Sequence, residues 1–251
     1  MKIISRGLSD TGRKRDHNED SFLIDEELSL FVVADGMGGH AGGGTASRLA
    51  VETIATIMRE SWAQEDSPLR EDCPIQASRI PSLLRQAVQA ACCNIYMASR
   101  ENPHLAGMGT TTVVLLIHGQ HAFFAHVGDS RIYLVRDDFV QQVTEDHSLV
   151  NEQLRAGMIT AEEALKSRYK NIITRSVGFE RSVEVDVMGL VCEPGDTFIL
   201  CSDGMSNLVH EDDILELAAK GDLDAVTSAL VALANERGGD DNITVVAARA
   251  L

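Results

Sequence analysis

The sequence is short of positive charge. Of its 251 residues, 22 are Lys or Arg and 38 are Asp or Glu, which gives a net charge of −16 at pH 7. Nucleic acids and anionic membrane surfaces are bound through basic patches that neutralise phosphates. We therefore expect a protein with neither kind of partner.

Long apolar runs are also missing. No segment approaches the roughly 18 apolar residues that a membrane-spanning helix needs, and the first residues carry no apolar stretch of signal-peptide length. At 44% hydrophobic residues, the chain can nevertheless bury a substantial core. We expect a soluble protein of the cytoplasm that is not exported, and a monomer.

Paired cysteines are a third absence. The five cysteines are odd in number and lack Cys-x-x-Cys spacing: Cys73, Cys92, Cys93, Cys192 and Cys201. Cys92 and Cys93 fall in a helical pattern, and Cys201 falls in an apolar strand. These features predict reduced thiols that are mostly buried, in keeping with a cytoplasmic protein. A zinc site is the alternative, but no Cys or His cluster has the required spacing.

The hydrophobic pattern predicts a mixed α/β domain. Short β-branched or aromatic runs predict strands at 22–24, 30–34, 110–117, 122–127, 131–135, 183–187, 197–201 and 243–248. Apolar stripes predict helices at 46–58 and 80–95, with shorter helices at 146–156, 160–166, 212–220 and 223–236. Asp146 and Thr160 are the expected N-caps of the first two short helices. Gaps between 110 and 143 are too short for crossover helices, so those strands pair antiparallel.

Acidic residues stand at the ends of several predicted strands. Asp35, Asp129 and Asp203 each follow an apolar strand and lie beside a glycine, while Glu19 and Asp241 shortly precede strands. Any one of them fits ordinary turn chemistry. Together they predict a group of carboxylates at one rim of a sheet assembly.

Such a group would favour a hard cation. Clustered carboxylates raise each other's pKa unless a cation keeps them ionised, and oxygen ligands select Mg²⁺ or Mn²⁺. A carboxylate shared by two ions suits phosphate hydrolysis. Arg15, near Glu19, is either a phosphate-binding guanidinium or one member of a solvated basic cluster with Arg13 and Lys14. Spacing alone does not choose between these two readings.

Seven short motifs resemble those of the metal-dependent protein phosphatases, the PPM family of type 2C serine/threonine phosphatases, in its bacterial branch. They are Arg-Asp-His-Asn-Glu-Asp at 15–20, Ala-Asp-Gly-Met-Gly-Gly-His at 34–40, Gly-Thr-Thr at 109–111, Val-Gly-Asp-Ser-Arg at 127–131, Thr-Glu-Asp-His-Ser at 144–148, Ser-Asp-Gly at 202–204 and Asp-Asp-Asn-Ile-Thr at 240–244. The motifs span nearly the whole chain in the family's order. This resemblance implies an α+β fold: a four-layer αββα sandwich of two antiparallel sheets flanked by helices.

The resemblance also implies a dinuclear Mn²⁺ or Mg²⁺ centre. Asp35 would bridge both ions and the Gly36 carbonyl would bind one of them. Asp203 and Asp241 would bind the other, and Glu19 would contribute directly or through water. Asp129, together with Asp203, would form a weaker third metal site. Arg15 would bind the substrate phosphate. Asp20 and Asn242 would orient ligands and waters.

Two residues depart from the family pattern. Met37 stands where the eukaryotic branch has a histidine that protonates the leaving group, so the general acid is unassigned. His40, His126 and His147 are candidates, although loop or strand-end stabilisation is the simpler interpretation of each, and a metal-bound water is the alternative proton donor. Asn207 stands where some relatives have an Asp at the third metal, which predicts a weaker site there.

Two glycine-containing motifs are interpreted structurally. The run at 36–44 lacks the Gly-Lys-Ser/Thr ending of a P-loop, so its glycines would let a carbonyl reach a metal and let the chain enter a helix near Thr45. Gly109-Thr110-Thr111 is interpreted as core turn packing.

The implied function is hydrolysis of phosphoserine and phosphothreonine by direct attack of a metal-bridging water or hydroxide. The implied partners are phosphoproteins and a bacterial serine/threonine kinase whose action the enzyme reverses. The alternatives are a catalytically inactive module of the same fold that binds phosphoproteins or a kinase, and a narrow phosphatase acting on one regulatory protein. We expect one domain over 1–251, in which 144–182 resembles a flap over the site.

Overall fold

Two five-stranded antiparallel sheets form the centre of the molecule. The computed structural model describes residues 1–38, 42–70, 78–165 and 167–251. The first sheet has the strand order β1-β12-β11-β8-β9, and the second has the order β10-β7-β6-β3-β2. A two-stranded ribbon, β4-β5, lies beside them. The twelve strands are β1 (Ile3–Asp10), β2 (Ser21–Asp25), β3 (Leu30–Ala34), β4 (Gly36–Met37), β5 (Gly109–Thr110), β6 (Thr112–His118), β7 (His121–Val127), β8 (Arg131–Arg136), β9 (Phe139–Gln142), β10 (Asp186–Val191), β11 (Thr197–Cys201) and β12 (Ile243–Ala250).

Helices cover the outer face of each sheet. The α-helices are α1 (Gly42–Ala63), α2 (Ile80–Glu101), α3 (Leu149–Arg155), α4 (Ala161–Leu165), α5 (Asp203–Ser206), α6 (Glu211–Lys220) and α7 (Leu223–Glu236). The apolar faces of α1 and α2 pack on the second sheet, and those of α6 and α7 pack on the first. The predicted four-layer αββα sandwich is therefore confirmed. None of the described helices is long and apolar enough to cross a membrane.

A third apolar cluster joins the two sheets to each other. Phe31, Phe124, Phe198 and Leu200 are all buried between the layers, and the rings of Phe124 and Phe198 are 5.7 Å apart. In a strand, alternate side chains face opposite sides, so one set packs between the sheets and the other packs under the helices. The separation of the two sheets is fixed by this middle layer.

Several predicted elements differ from those observed. The strand predicted at 183–187 is β10, which begins at Asp186, because the Val183 carbonyl is bound by the Gln89 side chain instead of by a neighbouring strand. β1, β4 and β9 are absent from the predicted strands, and the strand predicted at 110–117 is divided between β5 and β6. The two long helices and Pro81 in the first turn of α2 are as expected.

The predicted N-cap at Asp146 is wrong. α3 begins at Leu149, and Ser148 caps it by accepting a hydrogen bond from the Asn151 N–H at 3.3 Å. Asp146 instead forms a two-pronged ion pair with Arg131. The Thr160 cap is confirmed, since its backbone and side chain exchange hydrogen bonds with Glu163.

The described cysteines match the prediction of reduced thiols. Cys92, Cys192 and Cys201 are buried, Cys93 is half-buried, and all four are free. Cys73 lies outside the described residues, as do 71–74 of the loop predicted at 63–74 and Lys166 of the helix predicted at 160–166.

We expect Leu200→Ala to lower the free energy of unfolding by about 2–5 kcal/mol, because it leaves a cavity in the layer that joins the sheets. Val191→Ala, on the exposed end of β10, is the matched control and should change the value by less than about 0.5 kcal/mol. Urea unfolding followed by circular dichroism measures both. Equal effects of the two substitutions would contradict this account of the core.

Candidate metal centre

The acids at the strand ends converge on one cleft of about 460 Å³ at the rim of the sandwich. Both sheets contribute to it, since Asp35 and Asp129 follow β3 and β7 of the second sheet, and Asp203 follows β11 of the first. The predicted site residues that line this cleft are Arg15, Glu19, Asp35, Gly36, Asp129, Asp203, Asp241 and Asn242. Turn chemistry alone would not require these residues to share one cleft.

Close backbone packing brings Asp203 next to Asp241. A Cβ atom on Gly204 would lie 2.0 Å from the Asn242 carbonyl oxygen, so only glycine allows this approach. Just before it, the Ser202 N–H donates to the Thr244 carbonyl at 3.1 Å. The end of β11 and the start of β12 are thereby held side by side, with one carboxylate on each.

Asn242 anchors the N-terminal loop that carries Glu19. Its side-chain oxygen accepts from the Glu19 N–H at 2.8 Å, and its amide nitrogen donates to the carbonyls of Thr11 and His17. The loop from β1 to β2 is therefore tied to the start of β12. Asn242 thereby fixes the position of the Glu19 backbone.

Asp20 lies behind the cleft and joins the same strand ends. One carboxylate oxygen accepts hydrogen bonds from the hydroxyls of Ser202 at 2.8 Å and Thr244 at 2.6 Å. The other oxygen, Oδ1, is buried and has no partner among the described residues. Asp20 thus bonds to the strand ends beside Asp203 and does not line the cleft.

Burial and mutual repulsion raise the pKa values of these acids. The pKa of the Asp35 carboxyl lies well above its ordinary value of 3.8, because of burial and then the charges of Asp20 and Asp203. Burial raises the pKa of Asp20 to about 7, and burial followed by the charge of Asp203 raises the pKa of Asp129 to about 7. The pKa of Asp203 is also raised, first by burial and next by Asp241.

The donor set fits divalent cations. Asp203 Oδ1, like Asp20 Oδ1, is a buried oxygen without a hydrogen-bond partner among the described residues. A buried carboxylate without partners is costly, and a cation supplies both the missing ligand interaction and the missing charge. Carboxylates and a backbone carbonyl are the ligands that Mg²⁺ and Mn²⁺ prefer.

Arg15 lies at the edge of the acid group. Its guanidinium donates to Asp241 Oδ2 at 2.6 Å, and its side chain is 53% exposed. In contrast, the neighbouring Lys14 pairs with Asp240, which is not among the residues lining the cleft. The structure thus places Arg15, and not Lys14, beside the acids of the cleft.

Five residues that the sequence interpretation did not assign to the site also line the cleft: Met37, Gly38, Thr111, Asn171 and Ile173. The interpretation of Thr111 as turn packing was incomplete. Its N–H donates to the Asp35 carbonyl at 2.9 Å, and its hydroxyl accepts from the Asp35 N–H at 3.1 Å. Pairing of β4 with β5 sets Gly36 opposite Thr110. The Gly-Thr-Thr motif could have indicated this role only if the β4-β5 pairing had been known.

Two of the candidate general acids, His126 and His147, do not line the cleft. His126 and His147 are buried, and burial lowers the pKa of both imidazoles, that of His126 to about 4. With Asp186 they bring three potential metal-ligand atoms within 4.8 Å of one another. However, the Arg175 guanidinium donates to Asp186 at 3.0 Å, and this resident cation disfavours a metal ion there. His40 lies outside the described residues.

Asn207, the second departure, lies next to the acids. Its side-chain nitrogen donates to Asp203 Oδ2 at 3.1 Å. Asn207, Asp129 and Asp203 also line an adjoining cleft between the 144–182 segment and the start of α6. An uncharged amide at this position leaves Asp129 and Asp203 as the charged groups shared by the two clefts.

Comparisons with known proteins agree with this arrangement over nearly the whole chain. A family model described as Protein phosphatase 2C matches residues 10–242. The serine/threonine phosphatase stp of Listeria innocua is 38% identical over 242 residues, covering 95% of this chain and 92% of that protein. The structure of the serine/threonine phosphatase Stp1 from Staphylococcus aureus matches with a TM-score of 0.90 at 31% identity, covering 100% of this chain and 96% of that chain. The catalytic domain of the serine/threonine protein phosphatase PstP, in complex with two manganese ions, matches with a TM-score of 0.84 at 34% identity, covering 98% and 97%.

In EDTA, we expect the melting temperature to fall as the pH rises from about 4 to about 7 and to level off above that. The pKa values of Asp20 and Asp129 are about 7 in the folded protein and about 3.8 in the unfolded chain. Their contribution to the free energy of unfolding is therefore fully present below pH 3.8 and is lost as the pH rises through 7. Asp129→Asn stays uncharged and should reduce the fall. Asp138→Asn, in an exposed turn, is the matched control.

Differential scanning fluorimetry across the pH range measures these melting temperatures. Added Mn²⁺ should raise the melting temperature more at the upper end of the range, where protons compete less for the carboxylates. A wild-type melting temperature that rises with pH in EDTA would contradict the arrangement of raised pKa values.

Proposed function

Because this chain belongs to the protein phosphatase 2C family, we propose that it is a metal-dependent enzyme that removes phosphate from phosphoserine and phosphothreonine in proteins. The observation that carries the proposal is the convergence of Glu19, Asp35, Asp129, Asp203 and Asp241 on one cleft with Arg15 at its edge. The similarity to named serine/threonine phosphatases across nearly the full chain supports the same conclusion.

We assign the ligand roles from the family resemblance to residues that line the cleft. Asp35 would hold both Mn²⁺ or Mg²⁺ ions, Gly36 would offer its carbonyl to one, and Asp203 and Asp241 would hold the other. Glu19, tied to Asn242 through its backbone, completes the set directly or through water. Bound ions would supply Lewis acidity and a water of lowered pKa for direct attack on phosphorus, without a phosphoenzyme.

The protein's own groups bind and orient the phosphate. Arg15 offers paired N–H donors that match phosphate oxygens, and its exposure leaves it accessible to a substrate. Thr111 fixes the backbone of Asp35, and Asp20 fixes Ser202 and Thr244 beside Asp203. No histidine lines the described part of the cleft, so we assign no side chain as the proton donor to the leaving group.

We also assign a weaker third cation position to Asp129 and Asp203. Both carboxylates face the two adjoining clefts, and the nearby Asn207 adds no charge. This position would fill only at higher Mn²⁺ or Mg²⁺ concentration, because fewer charged ligands hold it.

The substrates we propose are phosphoproteins made by a serine/threonine kinase. The enzyme is anionic, since the chain carries a net charge of −16, and the phosphate makes the substrate locally anionic as well. Encounter therefore depends on the local field of Arg15 and the bound cations. We propose that 144–182 acts as a flap that contacts the substrate, because its residues Asn171 and Ile173 line the cleft.

We expect p-nitrophenyl phosphate hydrolysis to require added Mn²⁺ or Mg²⁺. The rate should fall at least about a hundredfold in Asp35→Asn or Asp203→Asn, because each substitution removes a charged ligand of the metal ions. Asp138→Asn is the matched control with unchanged activity. Hydrolysis in EDTA at the full rate would contradict the proposal. Mn²⁺ binding without hydrolysis would instead favour the inactive binding module.

We expect Arg15→Ala to lower kcat/KM for p-nitrophenyl phosphate by about 10- to 100-fold, as the loss of charge-assisted hydrogen bonds typically does. Lys14→Ala, the adjacent residue of the same basic cluster, should change kcat/KM by less than about twofold. Steady-state kinetics at saturating Mn²⁺ measure both. Equal losses would show that the basic cluster acts as a whole and that Arg15 has no separate role.

A further inference from the structure

The backbone of Gly128, the residue before Asp129, is closely restricted by its neighbours. Its φ angle is +108°, and a Cβ atom there would lie 2.7 Å from the Thr111 side chain. Such a conformation is open to glycine and strained for other residues. Beyond it, the Ser130 hydroxyl lies 2.7 Å from the Thr111 hydroxyl. The direction of the Asp129 side chain therefore depends on how the Gly128 backbone is fixed.

His147 makes two of the hydrogen bonds that fix Gly128. The His147 backbone N–H donates to the Gly128 carbonyl at 2.8 Å, and the ring nitrogen Nδ1 accepts from the Gly128 N–H at 3.1 Å. The Gly128 carbonyl also lies 2.9 Å from His126 Nε2. Both hydrogen-bonding groups of the Gly128 backbone are thus satisfied by two buried histidines.

The bond to Nδ1 determines where the proton of the His147 ring lies. An Nδ1 that accepts from Gly128 carries no proton, so the neutral ring carries it on Nε2. Nε2 lies 3.2 Å from Asp186 Oδ2, whose other oxygen accepts from Arg175. Asp186 and Arg175 therefore hold the ring in the orientation that offers Nδ1 to Gly128.

The same residue holds the part of the 144–182 segment that faces the cleft. The His147 carbonyl accepts from the Thr174 N–H at 2.8 Å, and the next residue, Ser148, forms a β-bridge with Ile173. Ile173 lines the cleft. His147 thereby contacts both the backbone before Asp129 and Thr174, which adjoins Ile173.

We propose that His147 is a positioning residue, which sets the direction of the Asp129 carboxylate through the hydrogen bond between its Nδ1 and the Gly128 N–H. It does not touch the substrate, and it acts through Asp129. This proposal rests on the third cation position assigned above. The histidine of the Thr-Glu-Asp-His-Ser motif would therefore have a positioning role and would not be the general acid.

Two conservative substitutions separate the two ring nitrogens. In His147→Asn the amide oxygen lies near the position of Nδ1 and can still accept from Gly128. In His147→Gln the amide reaches the position of Nε2, so the bond to Asp186 is kept and that to Gly128 is lost. His121→Gln, on the exposed start of β7, is the matched control.

We expect His147→Gln to raise the Mn²⁺ concentration that half-saturates the weaker cation position by about tenfold, the usual effect of one lost buried hydrogen bond. His147→Asn should raise it by less than about threefold, and His121→Gln should leave it unchanged. Mn²⁺ titration by calorimetry and Mn²⁺ activation of p-nitrophenyl phosphate hydrolysis both measure this quantity. Similar effects of the Asn and Gln variants would overturn the proposal.

A double-mutant cycle distinguishes positioning from a general loss of structure. In the Asp129→Asn background, His147→Gln should have no further effect on Mn²⁺ binding, because the carboxylate through which it acts is gone. Additive effects would overturn the proposal. Thermal melting of all variants confirms that they are folded.

A measurement on the unmodified protein covers the case in which His147→Gln does not fold. The ¹⁵N chemical shifts of the His147 ring at neutral pH should show the neutral tautomer with its proton on Nε2. A proton on Nδ1 would overturn the proposal. If the wild type does not hydrolyse p-nitrophenyl phosphate, the proposed function fails, whereas calorimetry and the tautomer still decide the role of His147.

Discussion

The repulsion between carboxylates at the rim of the sandwich is the interaction on which the other features of the structure depend. Asp35, Asp129, Asp203 and Asp241 lie in one cleft with Asp20 behind them, and burial raises the pKa of several of these carboxyls. An unrestrained chain would relieve this repulsion by moving the acids apart. Here each acid lies within two residues of a strand, where the sheet hydrogen bonds restrict its movement. The cost of crowding is offset by the three apolar clusters that build the layers.

The two sheets share the site between them. β11 and β12 of the first sheet present Asp203 and Asp241, whereas β3 and β7 of the second sheet lead to Asp35 and Asp129. The separation of the two pairs therefore depends on the distance between the sheets. The buried side chains between the sheets set that distance, so the core also fixes the geometry of the cleft.

Strong local signals made most of the fold and site predictable from the sequence. The long apolar stripes of α1 and α2 and the β-branched runs indicated the layers, and the strand-end acids indicated the cleft. β1 was missed because its polar and apolar residues do not form a continuous run, and it is a strand because β12 pairs with it over eight residues. Thr111 and the Asp146 pair with Arg131 were missed because both depend on residues distant in sequence.

The last strand of the chain has a consequence for the order of folding. β12 lies between β1 and β11, and the Ser9 hydroxyl meets the Thr244 hydroxyl across 235 residues of sequence. Asp241 and Asn242 stand at the start of this strand, so the cleft is incomplete until β12 has been synthesised. Closing so long a loop costs conformational entropy and is slow. The stabilising contacts between β12 and its neighbours form only after this closure. Assembly of the carboxylates is thereby delayed until the surrounding layers are available to hold them.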